Sequence, residues 1–457
     1  MKKTHYLLLI CFSLFLPDRV FSQNNNDTVV TVQQCVDFAL RNQPAVKQAS
    51  IDQEINERDI RIGLSGWLPQ VSSSNLYQHY FQGSPLAASL ATTGSATGST
   101  TSTGTASTVT NSAVNQYSAL GLQASQVLYN NEVLQAAKAA KYSRQYYKQN
   151  NYSSQINVVA DVSKAFFDVL LSAKQLDILN EDIVRLQRSL KDAHNRYDAG
   201  VTDKTDYKQA TILLNNSLAS RKQTAEAVKS KTAYLKQMMG LRADHNLKLK
   251  YDSTRYEQEA SIDTNQKLDV NNRIEYRLLQ TQKGLLNVNV SYYKWGFLPS
   301  VSAVGVYNLN YLSNRFSTLY NNAFPNSYAG LTLDIPIFTG TKRLQNLSKA
   351  RLQVERNDYD IVNSANSINT EYVQSLADYK SNYTNWQLLK ENVSLANDVY
   401  KVVSLQYREG IKTYLDVIVS QSDLRTAELN YYNALFQLLS SKIDLEKSLG
   451  ILNVQYN

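Results

Sequence analysis

Two very long stretches of the chain lack the residue that most reliably ends a helix, and this constrains the fold more than any other feature. Of the 7 prolines in 457 residues, none lies between Pro85 and Pro299 and none follows Pro336. Proline breaks helices because it has no backbone N–H and because its ring collides with the preceding turn. The sequence therefore permits helices much longer than the ~10–14 residues usual in globular proteins.

The glycines in these stretches recur at matched positions. The segments 131–242 and 341–457 hold two glycines each, and these are Gly200 with Gly240 and Gly410 with Gly450. The members of each pair are 40 residues apart, and the second pair follows the first by 210 residues. This spacing indicates an internal duplication, in which each copy has a very long helix, a turn and a second long helix.

A seam of apolar or small residues runs along the longer predicted helix of each copy. In the first copy the spacings alternate between three and four with one local slip, at Val159, Val162, Phe166, Val169, Ala173, Leu176, Leu179, Ile183, Leu186, Leu190, Ala193 and Tyr197. This heptad period predicts helices over 131–198 and 341–408, each of 68 residues. At about 1.5 Å per residue each would be roughly 100 Å long. The second long helices are predicted over 203–240 and 413–450.

Shorter segments of alternating apolar and polar residues predict four β-strands, at about 69–82, 115–128, 298–312 and 327–338. In the last of these, Leu331 and Leu333 alternate with Thr332 and Asp334. Such a two-sided segment is typical of a transmembrane strand, although a soluble half-buried hairpin has the same pattern. The stretch over 83–112 is mostly Ser, Thr, Gly and Ala, which predicts a flexible loop between the first two strands.

Four strands are too few to close a barrel, and an open sheet edge in lipid leaves unpaired backbone groups at a cost of several kcal/mol each. Three copies would supply twelve strands, which lies within the range known for membrane barrels. We therefore predict a mainly α chain with a membrane β part, assembled as a trimer. The first repeat is predicted over 23–240, and its initial helix over 31–65 is broken near Pro44. A polar linker follows over 241–265. The second repeat is predicted over 266–457, with an initial helix over 266–294.

The first 22 residues are predicted to be a secretory signal peptide. Lys2 and Lys3 precede an apolar run that is too short to span a bilayer, and the small residue Ser22 precedes the predicted cut. Without this segment Cys35 is the one remaining cysteine, so no intramolecular disulfide is expected. The net charge of +8 is spread along the chain without a concentrated basic patch, so a nucleic-acid partner is not indicated.

Three kinds of motif in the chain resemble those of the TolC family of outer-membrane factors. The start reads Val-Gln-Gln-Cys-Val-Asp-Phe-Ala-Leu over 32–40, followed by Asn42 and Pro44. The first strand of each copy opens on Leu-Pro-x-Val, and both turns carry Tyr-x-x-Gly-x-x-x-x-x-Asp. No single motif is specific, but their order, spacing and duplication together are.

The resemblance implies a homotrimer whose twelve-stranded outer-membrane β-barrel is continuous with a periplasmic α-helical barrel. Such ducts dock with a periplasmic adaptor (membrane fusion) protein and an inner-membrane transporter of the RND or ABC type. The implied function is a passive exit channel in the outer membrane of a Gram-negative bacterium, for small molecules such as drugs or for secreted protein. A structural periplasmic coiled-coil protein and a diffusion porin are the alternatives.

The resemblance also places the functional residues at the two inner turns. It implies a pore constriction at Asp206, Tyr407, Lys412 and Asp416, and adaptor docking at Gly200, Val201, Thr202, Gly410, Ile411 and Thr413. Physically, each glycine can end a long helix in a left-handed conformation, and Thr202 or Asp203, and Thr413, can cap the next helix. Lys412 stands where family members often have arginine. The resemblance implies that Asp206, Tyr407 and Lys412 form a network that closes the pore, with the lysine ammonium paired to a carboxylate. Because lysine lacks the bidentate fork of arginine, we expect this pairing to be weaker.

The sequence shows no pattern that points to catalysis. His79, His194 and His245 are isolated, without metal-ligand spacing. There is no phosphate-binding loop, dinucleotide fingerprint or nucleophile elbow. We therefore expect no enzyme activity, no cofactor and no bound metal.

Overall fold

The computed structural model describes residues 29–81, 115–250 and 253–454. The predicted signal peptide (1–22) and the predicted loop (83–112) lie outside the described residues. In chain order the elements are β1 (Val29–Val30), α1 (Val32–Asn42), α2 (Pro44–Ser65), β2 (Gln70–His79), β3 (Gln116–Tyr129), α3 (Asn131–Asp198), α4 (Lys204–Met239), β4 (Lys248–Leu249), α5 (Ser253–Glu259), α6 (Ile274–Trp295), β5 (Ser300–Ser313), β6 (Ala323–Asp334), α7 (Lys342–Arg408) and α8 (Tyr414–Leu449).

Four long helices dominate the chain. α3 has 68 residues, α7 has 67, and α4 and α8 have 36 each. α3 packs along α4 to form hairpin one, and α7 packs along α8 to form hairpin two. α3 also packs on α8, which joins the two hairpins side by side. Each observed helix end lies within one residue of the predicted one. Within the described ranges, no helix combines the length and the apolar composition needed to cross a bilayer.

Glycines end the two shorter long helices for two separate reasons. Gly240 and Gly450 have φ values of +68° and +72°, in the left-handed region that favours glycine. A Cβ would also lie 2.8 Å from the Asn42 carbonyl oxygen at Gly240, and 3.0 Å from the Asn272 backbone at Gly450. Each helix end is therefore packed against the backbone that precedes another helix, α2 or α6, and a larger residue would force the two apart.

The predicted first helix is two helices in the structure. Thr31 starts α1 through a reciprocal pair of hydrogen bonds with Gln34. Gln43 is extended between α1 and α2, and its side-chain oxygen accepts from the Ala45 N–H at 3.0 Å. Pro44 then occupies the first position of α2, where its missing N–H has no helical partner to lose. The break at Pro44 that the sequence predicts is therefore a change of direction between two capped helices.

The main hydrophobic core lies midway along α3 and α7 and toward the C-terminal ends of α4 and α8. Its fully buried side chains come from four helices, and they include Cys35, Val36, Val159, Val162, Phe166, Leu235, Leu435, Leu438 and Leu445. The sequence predicts a polar linker over 241–265, but this segment contains β4 and α5, and β4 pairs in parallel with β1. Tyr256 of α5 is buried in the core. Elements of two and seven residues are too short to leave a period in the sequence, which explains the difference.

Two further predicted boundaries are corrected by the structure. The helix predicted over 266–294 begins at Ile274, because Asp269 caps a 3₁₀ turn and accepts from the Asn271 N–H at 3.0 Å. The strand predicted over 327–338 is β6, which begins and ends four residues earlier. Its last residue, Asp334, pairs with Ser300, where the neighbouring strand β5 begins, so no partner residue is available beyond it.

The four longer strands form one antiparallel sheet in the order β2-β3-β5-β6. Residues opposite each other on neighbouring strands project to the same side. One side carries the apolar pairs Val301–Leu333, Ala303–Leu331 and Leu120–Leu309. The other side carries more polar pairs, among them Ser302–Thr332 and Asn308–Asn326. On the apolar side Leu331 is 73% exposed, so this side of the sheet is uncovered within one chain.

Candidate functional site: the two helix turns

Two short turns join the helices of the hairpins, and the residues predicted to be functional lie in these turns or in the helical turns next to them. Turn one (199–203) links α3 to α4, and turn two (409–413) links α7 to α8. Gly200 and Gly410 adopt the left-handed conformation, with φ values of +72° and +76°. Apart from the glycine and its two chain neighbours, no described residue has an atom within 4 Å of a Cβ placed at either position. Backbone conformation alone therefore requires glycine at both turns.

Each turn closes in the same way and exposes one large apolar side chain. The Val201 N–H donates to the Arg196 carbonyl at 2.9 Å, and the Ile411 N–H donates to the Gln406 carbonyl at 2.8 Å. These bonds satisfy carbonyls at the ends of α3 and α7. The Val201 side chain is 69% exposed and the Ile411 side chain is 72% exposed. Each turn thus presents an apolar group to its surroundings on a fixed backbone.

Turn two is followed by a complete capping box. The Thr413 hydroxyl donates to Asp416 Oδ2 at 2.8 Å, the Thr413 N–H donates to the same oxygen at 2.9 Å, and the Asp416 N–H donates to the Thr413 hydroxyl at 3.3 Å. These bonds from Thr413 hold the pKa of Asp416 below its usual value, and the nearby Lys412 ammonium lowers it further. The predicted cap at Thr413 is present, and Asp416 is its reciprocal partner.

Turn one has no such box. Asp203 is the N-cap residue of α4, and within the described chain its side chain makes no capping hydrogen bond. Asp203 Oδ2 accepts instead from the Thr205 hydroxyl at 3.2 Å. The Thr202 hydroxyl is buried without a hydrogen-bond partner among the described residues. The side-chain cap predicted for Thr202 or Asp203 is therefore absent.

A cluster of tyrosines joins the two hairpins beside the turns. Tyr414 of α8 is 4% exposed and packs with the buried Ala193 and Ala210 of hairpin one. Its ring centre lies 5.9 Å from that of Tyr407, in the last turn of α7. Tyr207 of α4 packs against the same cluster. Aromatic packing thus connects all four long helices at this level.

Arg196 lies over one ring of this cluster. Its guanidinium carbon is 4.4 Å from the centre of the Tyr407 ring, which is a cation–π distance. The hydroxyls of Tyr407 and Tyr414 are buried and have no hydrogen-bond partner in the described part of the chain. Burial is the largest cause that raises the pKa of both phenols. The Arg196 guanidinium partly offsets it at Tyr407, and the Asp206 carboxylate raises both values further. Both tyrosines are therefore neutral, and Arg196 places a positive charge over the Tyr407 ring.

The histidine nearest the turns belongs to this packing. His194 Nδ1 lies 2.9 Å from an Asp198 carboxylate oxygen one helical turn later. The His194 ring also contacts the Tyr207 ring, with 5.4 Å between centres. Among the residues that the structure describes, no group of three or more His, Cys, Asp or Glu side chains is placed to hold a metal ion.

Comparison with known proteins identifies the family. The family model described as outer membrane efflux protein matches residues 35–241 and 287–451. This chain belongs to the outer membrane efflux protein family. An outer membrane efflux protein acts as an exit channel in the outer membrane of a Gram-negative bacterium and extends into the periplasm. Family membership decides against the structural coiled-coil alternative and confirms the resemblance to the TolC family.

Individual relatives match along most of the chain. TtgC of Pseudomonas putida, named a probable efflux pump outer membrane protein, is 23% identical over 419 residues, which cover 89% of this chain and 83% of TtgC. The outer membrane protein TolC of Vibrio cholerae is 20% identical over 343 residues, which cover 73% of this chain and 77% of TolC. The solved open state of the MtrE channel of Neisseria gonorrhoeae has a TM-score of 0.69 at 18% identity, over 92% of this chain and 88% of MtrE.

The structure of this outer membrane efflux protein brings some of the predicted constriction residues together. The Asp206 carboxylate is near enough to raise the pKa of Tyr407 and Tyr414, but neither hydroxyl makes a hydrogen bond to it among the described residues. Lys412 is exposed, and the described chain contains no ion pair between it and Asp206. Lys412 lies near Asp416 instead. Within one chain the predicted network of Asp206, Tyr407 and Lys412 is therefore only partly assembled.

Sequence reasoning missed two residues that the structure places at this site. Arg196 immediately precedes Tyr197 of the turn motif, and its contact with Tyr407 depends on how the hairpins pack. Tyr414 follows the cap residue Thr413 and occupies a position that is Lys204 in the first copy. That replacement of a charged by an aromatic residue at a duplicated position is the signal that could have indicated a buried contact in hairpin two.

Proposed function

We propose that three copies of this outer membrane efflux protein assemble into one gated duct, with a shared twelve-stranded barrel in the membrane and an α-helical barrel in the periplasm. The observation that carries the proposal is the four-stranded sheet. Its outer strands, β2 and β6, each pair with a single neighbour among the described strands. In lipid such open edges would leave backbone groups unpaired at several kcal/mol each. Strands from further copies would pair both edges.

The two sides of the sheet suit this arrangement. Exposed leucines such as Leu331 and Leu333 occupy one side, at 73% and 59% exposure. The polar pairs occupy the other. A lipid-facing apolar side and a wet interior side are the pattern of a membrane barrel strand. The helical hairpins would then continue the wall of the duct into the periplasm.

We place the gate at turn one and turn two. The contact of Arg196 with Tyr407 holds the hairpins together within each chain, with Asp206 beside it. The exposed Lys412 ammonium is available to pair with Asp206 of a neighbouring copy, which would complete the predicted constriction. Three copies of Asp416 around the axis would favour cations at the opening.

We assign the exposed turns to partner binding. Val201 and Ile411 present apolar side chains that a periplasmic adaptor protein could cover, on backbones fixed by Gly200 and Gly410. Thr202 and Thr413 lie beside them. The adaptor would link the duct to an inner-membrane transporter of the RND or ABC type, which supplies the energy. Relatives named as toluene and antibiotic efflux proteins favour small molecules over secreted protein as cargo.

The proposal is tested by a pair of arginine substitutions on opposite sides of β6. Leu331→Arg places a charge on the side assigned to lipid, where arginine costs up to about 2–4 kcal/mol at the midplane and less toward the interfaces. Thr332→Arg places the same charge on the side assigned to the interior and serves as the matched control. We expect a marked loss of folded trimer in outer-membrane fractions for the first variant and little loss for the second. Equal effects of both variants, or a wild-type protein that is monomeric and non-conducting in planar bilayers, would contradict the proposal.

A further inference from the structure

A buried aspartate lies at the contact between the two hairpins, away from the turns. Asp182 of α3 is 1% exposed, and its carboxylate accepts hydrogen bonds from two uncharged side chains. The Ser217 hydroxyl of α4 donates at 3.2 Å, and Gln421 Nε2 of α8 donates at 3.0 Å. Three of the four long helices thus meet at one carboxylate.

Arginines balance the charge of this carboxylate. Arg425 Nη1 of α8 lies 3.2 Å from Asp182 Oδ2 and 3.2 Å from the Ser217 hydroxyl. Arg185, one turn after Asp182 on α3, lies at 3.7 Å on the other side and 3.8 Å from Glu428 of α8. We name Asp182, Ser217, Gln421 and Arg425 the Asp182 joint. A carboxylate this deeply buried is stable only while its partners stay in place.

The Asp182 joint stands close to the gate but apart from it. Gln421 is seven residues after Tyr414, or roughly 10 Å along α8 at about 1.5 Å per residue. Between the joint and turn two, α3 and α8 bury apolar side chains such as Leu186 and Val417. Apolar contacts are not directional and tolerate small shifts. The Asp182 joint does not tolerate such shifts, because moving α8 along α3 would separate the buried carboxylate from its hydrogen-bond donors.

We propose that Asp182 is a positioning residue that fixes hairpin two against hairpin one and thereby holds the gate closed at rest. This inference rests on the proposed function, since it assumes that the turns close a channel. When the channel opens, the Asp182 joint would then confine movement to the helix segments between the joint and the turns. Removing the charge of Asp182 would release Gln421 and Arg425 and let hairpin two move away from hairpin one.

The test measures conductance of the purified trimer in planar bilayers containing KCl. Asp182→Asn is expected to raise the resting conductance several-fold. Asp168→Asn is the matched control, because Asp168 is on the same helix and pairs with Lys231 at 2.7 Å within hairpin one. We expect the control to conduct like the wild type. Equal conductance of Asp182→Asn and the wild type would overturn the inference.

Two further measurements separate positioning from general damage. Ser217→Ala removes one donor without leaving an unpaired charge, so it keeps the test available if Asp182→Asn does not fold, and it is expected to raise conductance to a smaller extent. In a Tyr407→Ala background, where the tyrosine contact at the gate is already broken, Asp182→Asn should add no further increase. Additive increases would show that Asp182 acts elsewhere and would overturn the inference. A wild-type protein that forms no channel at all would instead contradict the proposed function.

Discussion

Turn one and turn two share a left-handed glycine and an aspartate three residues after the N-cap, yet the helices that follow them begin differently. In turn two the N-cap is Thr413, whose hydroxyl donates to the Asp416 carboxylate. In turn one the N-cap is Asp203, a carboxylate that cannot donate to the Asp206 carboxylate and that repels it. Glycine therefore sets where each long helix ends, whereas the chemistry of the N-cap residue decides how firmly the next helix begins.

The two turns also differ in the first residue of the helix that follows each of them. Tyr414 follows the second turn and is buried against hairpin one. Lys204 occupies the duplicated position after the first turn and is exposed. Turn two is thus followed by two anchors, the capping box and the buried Tyr414 ring, whereas turn one is followed by an exposed lysine.

The largest difference in stability between the two turns is expected at the first residue of the helix that follows each turn. Tyr414→Ala removes a buried ring and should lower the local free energy of opening at the start of α8 by about 3–5 kcal/mol. Lys204→Ala is the matched change in turn one and should stay within about 0.5 kcal/mol. Hydrogen–deuterium exchange of the amides over 414–420 and over 204–210 measures both.

A conservative variant tests whether the ring or the hydroxyl provides the anchor. Tyr414→Phe keeps the ring and removes a hydroxyl that has no hydrogen-bond partner within the described chain. We expect its amides to be protected at least as well as those of the wild type. A loss as large as that of Tyr414→Ala would show that the hydroxyl is bound in the assembled protein, and the assigned role of the ring would be wrong.

The sequence alone indicates where the two turns lie but not how they differ. Proline and glycine spacing locates the long helices within one residue, because helix breakers act locally. The sequence could not predict the pairing of Arg196 with Tyr407 or the burial of Asp182, because both depend on which helices face each other. A charged residue in a heptad pattern looks solvated, and Asp182 directly precedes the seam residue Ile183, which gave no reason to expect burial. The short elements β4 and α5 were missed for lack of length.

A smaller effect is expected at the N-cap residues. Thr413→Ala removes the hydroxyl of the capping box and should destabilise the start of α8 by about 1 kcal/mol. Asp203→Ala should leave the start of α4 nearly unchanged, since its side chain makes no cap hydrogen bond among the described residues. The same exchange measurement compares the two. A similar loss in both variants would mean that Asp203 caps its helix in the assembled protein and that the turns do not differ as described.

The smallest expected effect is a pH dependence confined to turn two. The pKa of Asp416 is lowered chiefly by the hydrogen bonds from Thr413. A carboxyl with a lowered folded-state pKa stabilises the fold fully above its usual pKa of about 4, and this contribution is lost as the pH falls through the lower folded-state value. Thr413→Ala removes the cause of the shift. The difference in amide protection over 414–420 between wild type and Thr413→Ala should therefore be constant near neutral pH and shrink in strong acid, after correction for intrinsic exchange rates. A difference that stays constant into strong acid would show that the cap acts through the threonine hydroxyl alone and that the Asp416 charge contributes nothing to it.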